Sequence, residues 1–232
     1  MTFPRVVFQY VFQYVRCCQV PAPGPWLAAA ERAELARWQA PSRRTEYLAG
    51  RLAAKQVVRR LVGQEGLELS AIEIHSRDRY GRGGPPAVRI EGQPARWRLS
   101  IAHTQRGALA AACLCPYVPI GVDLVPGDWG DRSVIRFWFT PAERAWLAEG
   151  TGWGAAAVWA AKEAAYKAAG RGDSFRPQAI EVRPLPSGRL AVRYRGLPHW
   201  PDLEIRIEAL DGHVAAVALP TPETLAEGGD HD

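Results

Sequence analysis

Gly107-Ala108-Leu109-Ala110-Ala111-Ala112-Cys113-Leu114 returns later in the chain as Gly212-His213-Val214-Ala215-Ala216-Val217-Ala218-Leu219. Each copy lies in a stretch that reads as a short strand, near 108–115 and 213–219. Working outward, the first copy follows strand-like segments near 71–75, 86–90 and 97–102, with turns at Gly81 to Pro86 and at Gln105 to Gly107. Before these comes a helical stretch from Arg43 to Val62, with Ser42 as its N-cap and a stop at Gly63. The second copy follows segments near 179–184, 189–195 and 203–210, and before them the Ala-rich helical run Trp159 to Gly170. A long helix followed by antiparallel strands, written twice, predicts an α+β fold: a pseudo-twofold arrangement of two similar α/β subdomains, each with a long helix packed on a mainly antiparallel sheet. The expected division is 1–119, 120–225 and an acidic mobile tail at 226–232, the two halves each being large enough to bury a core.

Length and charge narrow the function. In 232 residues, 29 basic and 24 acidic side chains leave +5, too little for a polybasic nucleic-acid binder but enough to favour an anionic ligand. The nine tryptophans are scattered with no basic–aromatic alternation, so they read as core. Cys17-Cys18 and Cys113-Leu114-Cys115 lack the spaced pairs and histidines of a zinc site; Cys113 and Cys115 read as small apolar fillers on one strand face, and nothing argues for an oxidising compartment. Residues 6–20 are interrupted by Gln9, Gln13 and Arg16, so they neither span a bilayer nor form a signal peptide, and a cytoplasmic protein is expected. Within them Val7-Phe8-Gln9-Tyr10 repeats as Val11-Phe12-Gln13-Tyr14, a β-rich segment without assignable chemistry. Residues 26–38 read as a short helix, and Thr140-Pro141-Ala142-Glu143 as a capping box opening a helix to about Glu149.

Three blocks carry chemistry. Glu163 and Lys167 stand at i and i+4 on one helix face; alone they make a solvated ion pair worth a few tenths of a kcal/mol. Gly121-Val122-Asp123-Leu124-Val125 places one carboxylate in a buried strand, and Leu99-Ser100-Ile101-Ala102-His103-Thr104 runs a strand into a turn with His103 at the junction. Arg44, Arg51, Lys55 and Arg59 fall at spacings of 7, 4 and 4, one stripe of a helix that is either a solvated basic face or a phosphate-binding one.

In this order and at these distances, the blocks at 100–107, 121–125 and 159–167, with the Arg-Arg-x-Glu-Tyr-Leu-Ala-Gly-Arg-Leu-Ala run at 43–53, resemble the 4'-phosphopantetheinyl transferases of the surfactin-synthetase-activating type. The resemblance covers about residues 40–220; the first forty match poorly. It implies an active site at the seam of two subdomains, magnesium held by Asp123 and Glu163, and catalysis by Glu163, Lys167 and Asp123. It also implies coenzyme A contacts from Arg43, Arg44, Arg51, Arg82, His103, Lys162 and Lys167. The implied partners are coenzyme A and an apo acyl or peptidyl carrier protein, with adenosine 3',5'-bisphosphate released, no nucleic acid, no membrane and a monomeric chain. Val125 stands where the motif often has a third acid, and Ala102 where many relatives have Ser or Thr. The rival reading is a non-catalytic nucleotide- or RNA-binding module using the basic stripe.

Overall fold

The computed structural model of the protein describes residues 10–77, 83–150, 152–170, 174–195 and 203–221. The repeated runs become β6 (Gly107–Cys113) and β11 (His213–Pro220), each the inner strand of a sheet. β6 lies between β1 (Tyr10–Arg16) and β5 (Arg98–His103), antiparallel to both. β11 lies between β7 (Gly121–Pro126) and β10 (Leu203–Leu210), and the sheet continues through β9 (Leu190–Tyr194) to β8 (Ile180–Pro184). The third sheet is β2 (Ile72–Arg77), β3 (Gly83–Ile90) and β4 (Gln93–Ala95), two hairpins in sequence. β1 is therefore the counterpart of β7, and the second copy of the N-terminal β-rich repeat has a structural place that its sequence does not announce; residues 7–9 of the first copy lie outside the described residues.

Every residue of β6 is buried, because helix covers one face and strand the other. On one side Ala108, Ala110 and Ala112 meet Ala49, Ala53 and Val57 of α2 (Pro41–Val62). On the other, Leu109 and Ala111 join Val122, Leu124, Ala215 and Val217 in the core between the sheets of β6 and β11. α5 (Ala155–Ala169) repeats the arrangement, setting Ala160, Ala161, Ala164 and Ala168 against Val125, Ala216 and Ala218. Strands covered on both faces lose the alternation of half-exposed ones, and alanine on both partners lets backbones come close.

The closest approach is at Gly121. A Cβ there would lie 1.9 Å from the carbonyl oxygen of Ala164, so α5 rests on bare β7 backbone. That contact puts Asp123 within reach of the same helix. α2 ends as expected at Gly63, in the left-handed conformation. It starts two residues earlier than expected: Pro41 is its first residue, Ala40 caps it without a side-chain bond, and Ser42 is already helical. Gly83 to Pro86, expected as a turn, belongs to β3. Among the described residues there are three shorter α-helices: α1 (Ala29–Leu35), α3 (Arg132–Trp138), capped by Asp131 through the amides of Ser133 and Val134, and α4 (Pro141–Ala148). The Thr140–Glu143 capping box forms as read. The four cysteines are free thiols, and no helix among the described residues is long and apolar enough to cross a membrane.

Candidate active site

Asp123 comes off β7 in the middle of its run, and Glu163 and Lys167 come off the α5 face that Gly121 admits. Lys167 Nζ is 2.7 Å from Asp123 Oδ1 and 3.7 Å from Glu163 Oε2. The strand carboxylate is thus the closer partner, and the helical pair is a three-group cluster. Burial alone would lower the Lys167 pKa, but the two carboxylates outweigh it and hold the ammonium above its usual range. The Glu163 carboxyl is pushed up, first by burial and then by the neighbouring charge of Asp123; Lys167 and the Trp159 indole, which donates to Glu163, work against that. Trp159 is held by stacking on Trp129 at 4.6 Å between ring centroids.

Two carboxylates against one ammonium leave a net negative charge in a half-dry seam. A second positive charge would relieve the mutual repulsion that raises Glu163, and carboxylate oxygens suit a hard divalent cation. The residues therefore fit magnesium through Asp123 and Glu163, with most of its coordination left to water and phosphate. Val125, on the same face of β7 as Asp123, is buried in the core under α5. Asp128 is exposed in the turn beyond. Among the described residues there is no cluster of three or more metal-binding side chains.

Beside this cluster opens a cleft of about 520 Å³, lined by Arg43, Glu46, Arg51, His103, Tyr166 and Lys167 among others. Lys167 belongs to both cleft and acid cluster. Arg43, 59% exposed, reaches Glu46 Oε2 at 2.9 Å, and His103 Nδ1 lies 3.4 Å from the same oxygen. Burial lowers the His103 pKa; Glu46 opposes the shift, while Lys167, Arg43 and Arg51 add to it. Arg51 lies deeper, 3.2 Å from Glu34 Oε2 and 4.4 Å above the Tyr47 ring.

The structure redistributes the remaining expected contacts. Arg44 Nη1 donates to the carbonyls of Leu35 (3.0 Å) and Trp38 (3.2 Å), closing the C-terminal end of α1 rather than reaching the cleft. Lys162 is wholly buried: its ammonium is 2.7 Å from Glu143 and donates to the carbonyls of Pro177 (2.8 Å) and Trp138 (3.3 Å). It faces away from the cleft because it lies about 100° round α5 from Glu163. Lys55 is buried too, so the basic stripe of α2 is no solvated face: its centre is neutralised by Glu31 and Glu34 of α1. Arg82 and the C-terminal tail at 226–232 lie outside the described residues.

Four functional neighbours escape a reading of the sequence. Glu46 has a signal, three residues after Arg43 on one helix face, and Trp159 has one, four residues before Glu163. Glu31 and Glu34 have none: α1 opens on Ala28 rather than Ser or Thr, so the box that Glu31 completes with the Ala28 amide carries no sequence signature.

A family model described as the 4'-phosphopantetheinyl transferase superfamily matches residues 119–218, from just before β7 to β11, and so contains Asp123, Glu163 and Lys167. The holo-[acyl-carrier-protein] synthase of Shouchella clausii (strain KSM-K16) is 36% identical over 91 residues, 38% of this chain and 74% of that protein.

Proposed function

Starting from a chain that belongs to the 4'-phosphopantetheinyl transferase superfamily, we propose that it moves the 4'-phosphopantetheine arm of coenzyme A to a serine hydroxyl of an apo acyl or peptidyl carrier protein. The observation that carries this reading is Lys167, shared between a cleft lined by Arg43, Arg51 and His103 and a two-carboxylate cluster. In the cleft, Arg43 and His103 face the 3'-phosphate side of coenzyme A and Arg51 backs them. Lys167 meets the diphosphate, where its raised pKa keeps it charged through neutral pH.

The serine oxygen bonds to the phosphorus that bears pantetheine. The bond from that phosphorus to the oxygen bridging to the adenosine half breaks, and adenosine 3',5'-bisphosphate leaves. The serine proton passes to the Glu163 carboxylate, whose raised pKa suits an acceptor. Magnesium held by Asp123 and Glu163 would supply charge neutralisation on the diphosphate oxygens. Phe137 and Trp138, exposed at the end of α3 with Trp138 edge-on to Trp159, offer an apolar landing place for the carrier.

Both sides of the seam come from one chain, His103 from the residues before 120 and Asp123 and Glu163 from those after, so a monomer in the cytoplasm suffices. Incubating the protein with coenzyme A, magnesium and a panel of apo carriers tests the reading. The expected result is the mass gain of one phosphopantetheine arm, abolished by chelation. Binding of coenzyme A that ignores chelation, with no carrier modified, would leave a nucleotide-binding module instead.

A further inference from the structure

The lysine that faces away from the cleft has a twin. Lys162 Nζ reaches Glu143 and the carbonyls of Trp138 and Pro177; Lys55 Nζ reaches Glu31 at 2.6 Å and the carbonyls of Leu69 and Ile72. Each glutamate is the third residue of a short helix and accepts from the amide of its cap residue, Thr140 for Glu143 and Ala28 for Glu31. The other oxygen of each accepts from the first strand after the long helix, Val182 in β8 at 2.7 Å and Ile74 in β2 at 3.1 Å. All four side chains are at most 1% exposed. A buried ion pair is a poor source of stability compared with apolar residues of the same volume. What it does well is demand one geometry, since any slide or rotation of the helix strands a charge.

We propose that the Lys162–Glu143 pair is a positioning device for the transfer step, and that Lys55–Glu31 is its counterpart for the wall of the coenzyme A cleft; this rests on the cleft and acid cluster having the roles given above. Lys162 immediately precedes Glu163, and its ammonium ties α5 to α3, α4 and the turn before β8 at one point. Small residues and Gly121 let α5 lie against β7 with little side-chain interlocking, so this tie fixes the rotation at which Glu163 and Lys167 meet Asp123. In the other half, Glu31 also lies 3.9 Å from Arg51 Nε, so that tie leads into the cleft through Arg51 and Glu34.

The test compares two double variants, Lys162→Met with Glu143→Gln and Lys55→Met with Glu31→Gln, each removing both charges of one pair. Thermal midpoint, kcat, the KM for coenzyme A and the indole N–H resonance of Trp159 are measured for each. Trp159 donates to Glu163 and reports its placement without any ligand. The first variant should lower kcat at least about tenfold at near-constant KM and shift the Trp159 resonance. The second should raise KM about tenfold at near-constant kcat and leave the resonance in place. Lys162→Met alone, which leaves Glu143 its two backbone amide donors, should show the first pattern and decides the matter if the double variant does not fold. Lower thermal midpoints with wild-type kinetics and resonance overturn the proposal in favour of plain stability. A rise in KM alone for the Lys162 variant overturns it in favour of direct ligand contact. A wild-type protein that transfers nothing overturns the transfer reading, and the Trp159 resonance then judges the positioning of Glu163 by itself.

Discussion

One residue past its pinned lysine α5 carries Glu163, and five past it Lys167; α2 carries Gln56 and Arg60 in those places. Opposite Ala216 of β11 stands Asp123, and opposite the equivalent Ala111 of β6 stands Phe12. The cation is kept in both halves: Arg60 reaches the Phe12 carbonyl and Gln13 Oε1 as Lys167 reaches Asp123. Both acids are present in only one. A repeated scaffold therefore does not repeat its polar groups: two carboxylates stand together at one seam only, and such a pair suits a divalent cation or a proton acceptor. The first half contributes instead Arg43 and His103, groups whose chemistry suits an anion.

The sharpest break of this comparison is to exchange the acid. Glu163→Gln should lower kcat on the order of 10²–10⁴-fold while leaving the thermal midpoint near wild type, since it removes a proton acceptor and a ligand charge but keeps the shape. Gln56→Glu, the same exchange reversed in the other half, should leave turnover unchanged. Comparable losses from the two would mean that the halves share the chemistry.

The arginines of α2 separate binding from scaffold at the next level of effect. Arg51→Ala deprives Glu34 of one of its partners in a largely buried place, and the Arg77 and Tyr47 contacts that remain hold the cost to about 2 kcal/mol, below the roughly 3–5 of a fully broken buried pair. Coenzyme A affinity should fall with it. Arg44→Ala loses two bonds to carbonyls, about 1–2 kcal/mol, and should leave that affinity alone. Chemical denaturation and calorimetric titration of coenzyme A together check both; a loss of affinity in Arg44→Ala would return it to the cleft.

The difference between these two arginines also marks what the sequence discloses. The two long helices, the antiparallel strands after each and the likeness of β6 and β11 are legible because alanine runs and glycine stops are local signals. Glu163 and Lys167 are legible for the same reason, being four residues apart on one helix. Asp123 is legible as a buried carboxylate, but that it outcompetes Glu163 for Lys167 depends on α5 settling on Gly121, a contact over forty residues in sequence. Lys162, Lys55 and Arg44 go astray together: a lysine or arginine on a helix reads as solvated or phosphate-binding, and only the acids and carbonyls that the tertiary fold delivers, Glu143, Glu31 and the end of α1, show that it is neither. β1 is legible as a β-rich segment, but its pairing is not, because its partner β6 lies about a hundred residues away.

Titration sharpens the contrast between the acid seam and an ordinary exposed glutamate. Because burial and Asp123 raise the Glu163 pKa, its proton is lost at a higher pH than the usual glutamate value, and activity should rise as pH climbs through that raised value. A cation on the same carboxylates competes with the proton. The acid limb of the rate profile should therefore move to lower pH as magnesium increases, by at most about one unit per tenfold rise in concentration. An acid limb that stays fixed over a hundredfold range of magnesium would separate Glu163 from the cation.

The smallest expected effect concerns Val125, which occupies the face of β7 shared with Asp123 and is 4% exposed. Val125→Glu would bring a third carboxylate to a dry place beside two others, a destabilising addition in the absence of a cation. With magnesium present, the added oxygen would replace a water in its coordination. The thermal midpoint of this variant should thus fall in chelator and recover with magnesium more than that of wild type does, and the magnesium needed for half-maximal rate should drop about threefold. Asp128→Ala, on the exposed turn after β7, should change neither quantity. If magnesium fails to rescue Val125→Glu while Asp128→Ala raises the magnesium requirement as far as Asp123→Ala does, the turn rather than the strand supplies a ligand, and the contrast between the halves lies in their loops instead of in β7 and β1.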